Sequence, residues 1–94
     1  MRPVHPGEML REEYFRAFSL TSDRLAEALK VPFAVIDDLL AERSDMNAEL
    51  SLRLARYFDT TPEFWMNLQS QYDVALARQK LGDSLSHLPR RKTA

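Results

Sequence analysis

Cysteine is absent from this 94-residue chain. Disulfides, thiolate metal sites and a cysteine nucleophile are excluded with it, and the composition suits a reducing compartment. Only two glycines occur, and four of the five prolines stand at the apparent ends of elements. That argues against a turn-rich β fold and for helices. Long apolar runs are missing as well. The longest, Val31–Ile36, is interrupted by a proline, whereas a membrane span needs about 20 such residues. Met1 does not begin the basic, apolar, small-residue order of a secretory signal. The expectation is a soluble, cytoplasmic protein with no membrane partner. Nor does either sign of charge dominate: 13 Lys and Arg oppose 14 Asp and Glu, for a net charge of −1. This excludes a generally basic nucleic-acid binder but leaves room for a local patch.

At 45% hydrophobic and 29% charged residues, the chain has the composition of a globular protein. Its length suits one small domain with a modest core, which dimerisation would help to stabilise. Leu10, Tyr14 and Phe18 recur at four-residue steps, with Met9 and Phe15 widening the stripe, which predicts a first helix over residues 7–18. Glu12 and Arg16 are spaced to pair on its wet side. Thr21 has the character of an N-cap, and Asp23 suits the turn that follows. Leu25, Ala26, Ala28 and Leu29 form the inner face of this second helix. Val31-Pro32 stops it, because the residue before proline avoids α geometry. A third helix is predicted over 33–41, with Ile36, Leu39 and Leu40 turned inward. Asn47 caps a fourth, carried by Leu50, Leu54, Ala55 and Phe58. Thr61-Pro62-Glu63 opens the fifth with a hydroxyl cap, a proline at the first helical position and an acid in the first turn. This helix is expected to bury Phe64, Trp65, Leu68, Tyr72 and Ala75 or Leu76, to reach Leu81 and to end at Gly82. The periodicity is lost over residues 82–94, where Arg90-Arg91-Lys92 follows Pro89, the pattern of a flexible cationic tail. The domain is therefore assigned to residues 1–81.

Helices two and three are short and joined by Lys30-Val31-Pro32. A helix-turn-helix has this shape: the first helix braces on the DNA backbone and the second enters the major groove. Ala26 is the small residue needed where the helices cross closely, and Val31, Ile36 and Leu39 supply the apolar joint. From spacing alone, an unrelated helical bundle competes with this reading.

Four stretches go further: HPGEMLREEY (His5–Tyr14), LTSDRLAEALKVP (Leu20–Pro32), LSLRLARYFDT (Leu50–Thr60) and TPEFWMNLQSQYD (Thr61–Asp73). Together they resemble HigA-type antitoxins, the helix-turn-helix members of bacterial type II toxin–antitoxin modules. The resemblance covers residues 2–81. It implies an all-α, five-helix, λ-repressor-like domain that forms a homodimer and binds operator DNA in its own promoter. It also implies a partner, a HigB-type toxin that cleaves mRNA, which the antitoxin holds and neutralises without catalysis of its own. Helix one, with its HPGE lead-in, is then a candidate toxin contact, since helix-turn-helix docking leaves it away from DNA.

By the same docking, Ser22 at the start of helix two is placed to hold a phosphate. The outer face of helix three comprises Phe33, Ala34, Val35, Asp37 and Asp38, and Arg43, Ser44 and Asn47 follow for backbone contacts. Similar proteins usually carry Arg, Ser, Asn or Gln on that face. An apolar side chain can meet a thymine methyl and a carboxylate can accept from cytosine N4, yet each carboxylate also repels phosphate. Residues 21–58 hold five basic and seven acidic side chains, few donors for the phosphate contacts that dominate non-specific affinity. Operator binding is therefore expected to be weak, highly selective or toxin-assisted, or lost from a module that only binds toxin. The family also commonly has glycine near positions 42, 45 and 59, here Glu42, Asp45 and Asp59, and Lys30 occupies a similar helix-ending place. Remodelling of the turn after helix three is the expected result.

The remaining candidates have plainer readings. Trp65, Phe64 and Tyr72 are read as core, with one aromatic able to reach a dimer interface. Asn67 and Gln69 are either solvated or bonded across a dimer. Glu8 and Glu12 share a helix face with no nucleophile or phosphate loop beside them, so an enzyme is not expected. His5 and His87 lack ligand spacing, so no metal or cofactor is expected, and His5 packs or caps at helix one. Arg90-Arg91-Lys92 is a solubilising tail or a contact to phosphate or an acidic patch. A stand-alone transcriptional regulator without a cognate toxin is the functional alternative.

Overall fold

In the computed structural model, which describes residues 2–92, five helices follow one another. Helix α1 occupies residues 6–18, α2 Ser22–Leu29, α3 Phe33–Leu40, α4 Ala48–Phe58 and α5 Pro62–Leu81, and no strand occurs among the described residues. The all-α architecture is the one expected, and local chemistry accounts for where the helices begin. Thr21 Oγ1 accepts the Arg24 amide at 3.3 Å, Asn47 Oδ1 that of Leu50 at 2.8 Å, and Thr61 Oγ1 that of Phe64 at 3.1 Å. Each bond satisfies an amide that the first helical turn leaves without a partner, worth about 1 kcal/mol.

Helix ends are more unusual. Ser19, Lys30, Glu42 and Asp59 all adopt left-handed backbone, with φ of 52°, 59°, 61° and 56°. In each case the amide one residue further on reaches back five residues: Leu20 to Phe15, Val31 to Ala26, Arg43 to Asp38 and Thr60 to Ala55, at 2.8–3.0 Å. This is the Schellman closure, normally built on glycine. Glu42 takes the left-handed place itself, while Asp45 does not.

Trp65, Leu10, Leu25, Ile36, Leu39 and Leu54 form the centre of the core, completed by Ala26, Leu29, Met46 and Leu50. The Trp65 indole N–H donates to Thr60 Oγ1 at 2.9 Å, so the ring is buried without an orphaned donor. Of the other residues expected inside α5, Phe64, Leu68, Tyr72 and Ala75 are half-buried and Leu76 is exposed. Ala28 also points outward, and Phe18, last in the α1 stripe, is 60% exposed.

Helix α1 starts as α-helix over Pro6–Met9, widens to a π-helix over Leu10–Phe15 and closes over Arg16–Phe18. A spacing of four lies between the α and π periods, so apolar recurrence could not distinguish the two windings. His5 is its buried N-cap: Nδ1 accepts the Gly7 amide at 2.9 Å and the ring stands edge-on to Tyr72 at 4.9 Å. Gly7 lies against the end of α3 so closely that a Cβ there would sit 1.8 Å from the Leu39 carbonyl oxygen. One turn on, the Arg11 guanidinium donates to the Leu40 carbonyl. The HPGE lead-in is therefore a joint between α1 and the end of α3.

The radius of gyration, 16.6 Å, exceeds the roughly 12 Å of a compact chain this long. The excess lies in α5: residues 76–81 are exposed on every side and continue into a 3-10 helix, Gly82–His87, where periodicity predicted no element. No helix among the described residues is long and apolar enough to cross a membrane.

Candidate nucleic-acid interface

Two helices and a tripeptide build the site. Helix α2 ends at the left-handed Lys30, Val31-Pro32 spans the turn, and Pro32 leads into α3. Buried Ala26 and Leu29 on α2 meet buried Ile36 and Leu39 on α3, so the opposite face of α3 is left to solvent. Phe33 (49% exposed) and Ala34 lie on that face. Asp37 and Asp38 lie partly on it, their side chains 49% and 45% exposed. Val35 does not belong with them. It is half-buried and packs on the core, because it precedes Ile36 on the flank that α3 turns toward α4.

A shallow groove of about 240 Å³ joins several of the expected residues: Ala34, Val35, Asp38, Ser44 and Asn47 line it, with Asp45 and Leu50. Ser22, Phe33, Asp37 and Arg43 lie outside that lining. Ser22 is half-buried in the first turn of α2. The Asn47 carboxamide oxygen is already engaged as the α4 cap.

Arg43 carries the main electrostatic surprise. Its Nη2 lies 2.8 Å from Asp38 Oδ1 and 3.4 Å from Asp37 Oδ2, and its Nε donates to Asp38 Oδ1 at 3.1 Å. The hydrogen bond to Asp38 raises the guanidinium pKa further above its ordinary value. The cation expected to contact phosphate is therefore occupied by the two outward carboxylates of α3, and the trio carries a net charge of −1.

The other cations of this region divide in two. Arg53 donates to the Leu29 carbonyl at 2.6 Å and to Glu49 at 3.0 Å, closing the end of α2. Arg24, Lys30 and Arg56 form no ion pair among the described residues. Arg24 is exposed in the first turn of α2, two residues after Ser22. Its place three residues after the Thr21 cap puts it at the same helix end as Ser22.

Gln69 is the other residue that the spacing undervalued. It is buried, accepts the Met46 amide at 2.7 Å and donates to Asp73 at 2.9 Å and Asp45 at 3.3 Å. Lying four residues after Trp65, it shares the inward face of α5 and fastens the loop that follows α3. Asn67 is exposed. Among the described residues no three His, Asp or Glu side chains converge as metal ligands would.

Two short helices crossing at a small residue, with the second turned outward, make this a helix-turn-helix protein. No protein-family model matches the chain. It is 37% identical over 73 residues to antitoxin HigA-1 of Vibrio cholerae, covering 78% of this chain and 69% of that one. Two solved structures are similar throughout. One is the Pseudomonas aeruginosa antitoxin HigA with the higBA promoter (TM-score 0.90, 41% identity, 98% of this chain and 100% of that one). The other is PA4674 of Pseudomonas aeruginosa in complex with its operator DNA (TM-score 0.93, 42% identity, 100% and 99%). The chain belongs to the HigA-type antitoxin family.

Proposed function

We propose that this protein is an antitoxin and autorepressor, which binds and neutralises a HigB-type mRNA-cleaving toxin and, as a homodimer, binds the operator of its own promoter. The observation that carries the reading is the match of the whole helix-turn-helix, at TM-score 0.90 over 98% of the chain, to a HigA antitoxin solved with its promoter. In this reading Phe33, Ala34, Asp37 and Asp38 face base edges from α3, with Val35 at the wall of the groove. Ser22 and Arg24 meet a phosphate at the start of α2, and Arg43, Ser44 and Asn47 flank the next one. The chain performs no catalysis; it acts in the cytoplasm by occupying DNA and toxin. Helix α1, on the far side of α3 from the recognition face, is the surface left for toxin.

The dimer is assigned to the distal part of α5 and the turn after it. Val74, Leu81, Leu85 and Leu88 are 43–63% exposed there, an apolar run that a second copy would cover. Arg90, Arg91 and Lys92 supply a cationic end to that surface.

Co-expression with the neighbouring reading frame tests the proposal, scoring rescue of growth and co-purification. A neighbour that is harmless alone, or that does not associate, would leave the stand-alone regulator. Titration against a duplex from the upstream promoter decides the operator half. Sedimentation of wild type and Val74→Glu tests the dimer surface, with a shift to monomer expected in the variant.

A further inference from the structure

We propose that Asp38, seconded by Asp37, is a selectivity gate: it holds Arg43 in an internal ion pair that is exchanged for a backbone phosphate more readily where a base-edge amino group takes over the carboxylate. The inference rests on α3 being the DNA-facing helix and adds to it a residue that determines specificity and a way it works. Its target is duplex DNA presenting a cytosine N4 amino group in the major groove opposite Asp38.

Three observations meet here. The forked contact of Nε and Nη2 with Asp38 Oδ1, at 3.1 and 2.8 Å, engages a cation that follows directly on α3. The Schellman closure sets Arg43 there, since its own amide is bonded to the Asp38 carbonyl at 2.8 Å; the same residue thus positions Arg43 through its backbone and binds it through its side chain. The pair is exposed, 59% on Arg43 and 45% on Asp38, so it is weak and readily exchanged. On DNA of arbitrary sequence, Arg43 stays shared with Asp37 and Asp38, and the trio meets the phosphates with a net charge of −1. On a site with a cytosine amino group opposite Asp38, the carboxylate gains a donor and Arg43 is freed for phosphate. The acidic face lowers non-specific affinity more than specific affinity.

The test compares wild type, Asp38→Asn and Asp38→Asn/Arg43→Gln on the upstream-promoter duplex and on a scrambled duplex, over a range of salt. Thermal melts establish that all three are folded. Asp38→Asn is expected to tighten binding to the scrambled duplex about fivefold. It should steepen the salt dependence by about one released counterion, the signature of one added phosphate contact. The double variant is expected to lose both gains. An unchanged scrambled-duplex affinity in Asp38→Asn overturns the gate. So does a gain that survives intact in the double variant, since carboxylate repulsion alone would then account for it. The preference of wild type for promoter over scrambled duplex is read separately and bears on operator binding alone, so the two ideas can fail independently.

Discussion

Replacing Gly7 by alanine places a methyl carbon 1.8 Å from the Leu39 carbonyl oxygen, 2.9 Å from the Leu39 carbonyl carbon and 3.1 Å from His5 Nδ1. The first of these must open by about 1.2 Å to reach 3.0 Å, a distance below which real Cβ atoms are essentially never found. Both sides of the contact are helical backbone, so no side chain can swing away. Overpacking against rigid structure costs about 3 kcal/mol, at the upper end of its usual range. Moving α1 also loosens the His5 cap and the bond from Arg11 to the Leu40 carbonyl, another ~1 kcal/mol. Alanine returns roughly 1 kcal/mol of helix propensity. The net loss is about 3 kcal/mol, which for a domain of this size lowers Tm by roughly 12–24 °C. Differential scanning calorimetry of Gly7→Ala measures it. Gly82→Ala is the comparison, since a Cβ there has nothing within 4 Å and is strained by the backbone alone, at φ +51° and ψ −129°. A fall of less than ~4 °C in Gly7→Ala would refute the close approach as the reason for glycine at this position.

Lys30→Gly is expected to stabilise the fold by about 1 kcal/mol, because a side chain at φ 59° is strained where glycine is not; a urea midpoint unchanged or lowered would contradict this. Gln69→Ala should cost about 1–3 kcal/mol by leaving the buried Met46 amide unpaired, and hydrogen exchange at Met46 should accelerate with it. Arg2 forms a two-point contact with Glu8 and, by that hydrogen bond, holds the Glu8 carboxyl below its ordinary pKa. A depressed carboxylate contributes stability above the unfolded carboxylate range, about pH 4.3, and loses it as pH falls through the folded value. The stability difference between wild type and Arg2→Gln should therefore narrow on acidification from pH 6 to pH 3, and a constant difference would remove the ion pair as its source.

Helix starts were legible in the sequence because a cap is a conversation between neighbours: Thr21, Asn47 and Thr61 each bond an amide three residues away. Most of the core followed from the same short-range spacing, and His5 as a cap and Trp65 as core are both borne out. What escaped depended on partners far along the chain or on conformations that side chains do not announce. Gly7 meets Leu39, Gln69 meets Met46, and Arg11 meets Leu40, and no periodicity encodes such pairs. Ser19 ends α1 in left-handed backbone with nothing in its chemistry to mark it. Arg43 reads from sequence as a phosphate donor, but its engagement with Asp37 and Asp38 depends on the turn after α3 folding back by five residues. Val35 reads as outward from sequence because α3 is so short and apolar that its flank resembles its face.

The joint between α1 and α3 bears on how such a protein can change over generations. With Gly7 against Leu39, Arg11 on the Leu40 carbonyl and the Schellman closure behind them, α3 is clamped at its C-terminal end and cannot be re-aimed by small steps. Tilting it would require simultaneous change in two helices and a turn. In the proposed reading, new operator preferences are reached by exchanging side chains at Phe33, Ala34, Asp37 and Asp38 on a helix of fixed attitude, while the scaffold beneath them stays constant.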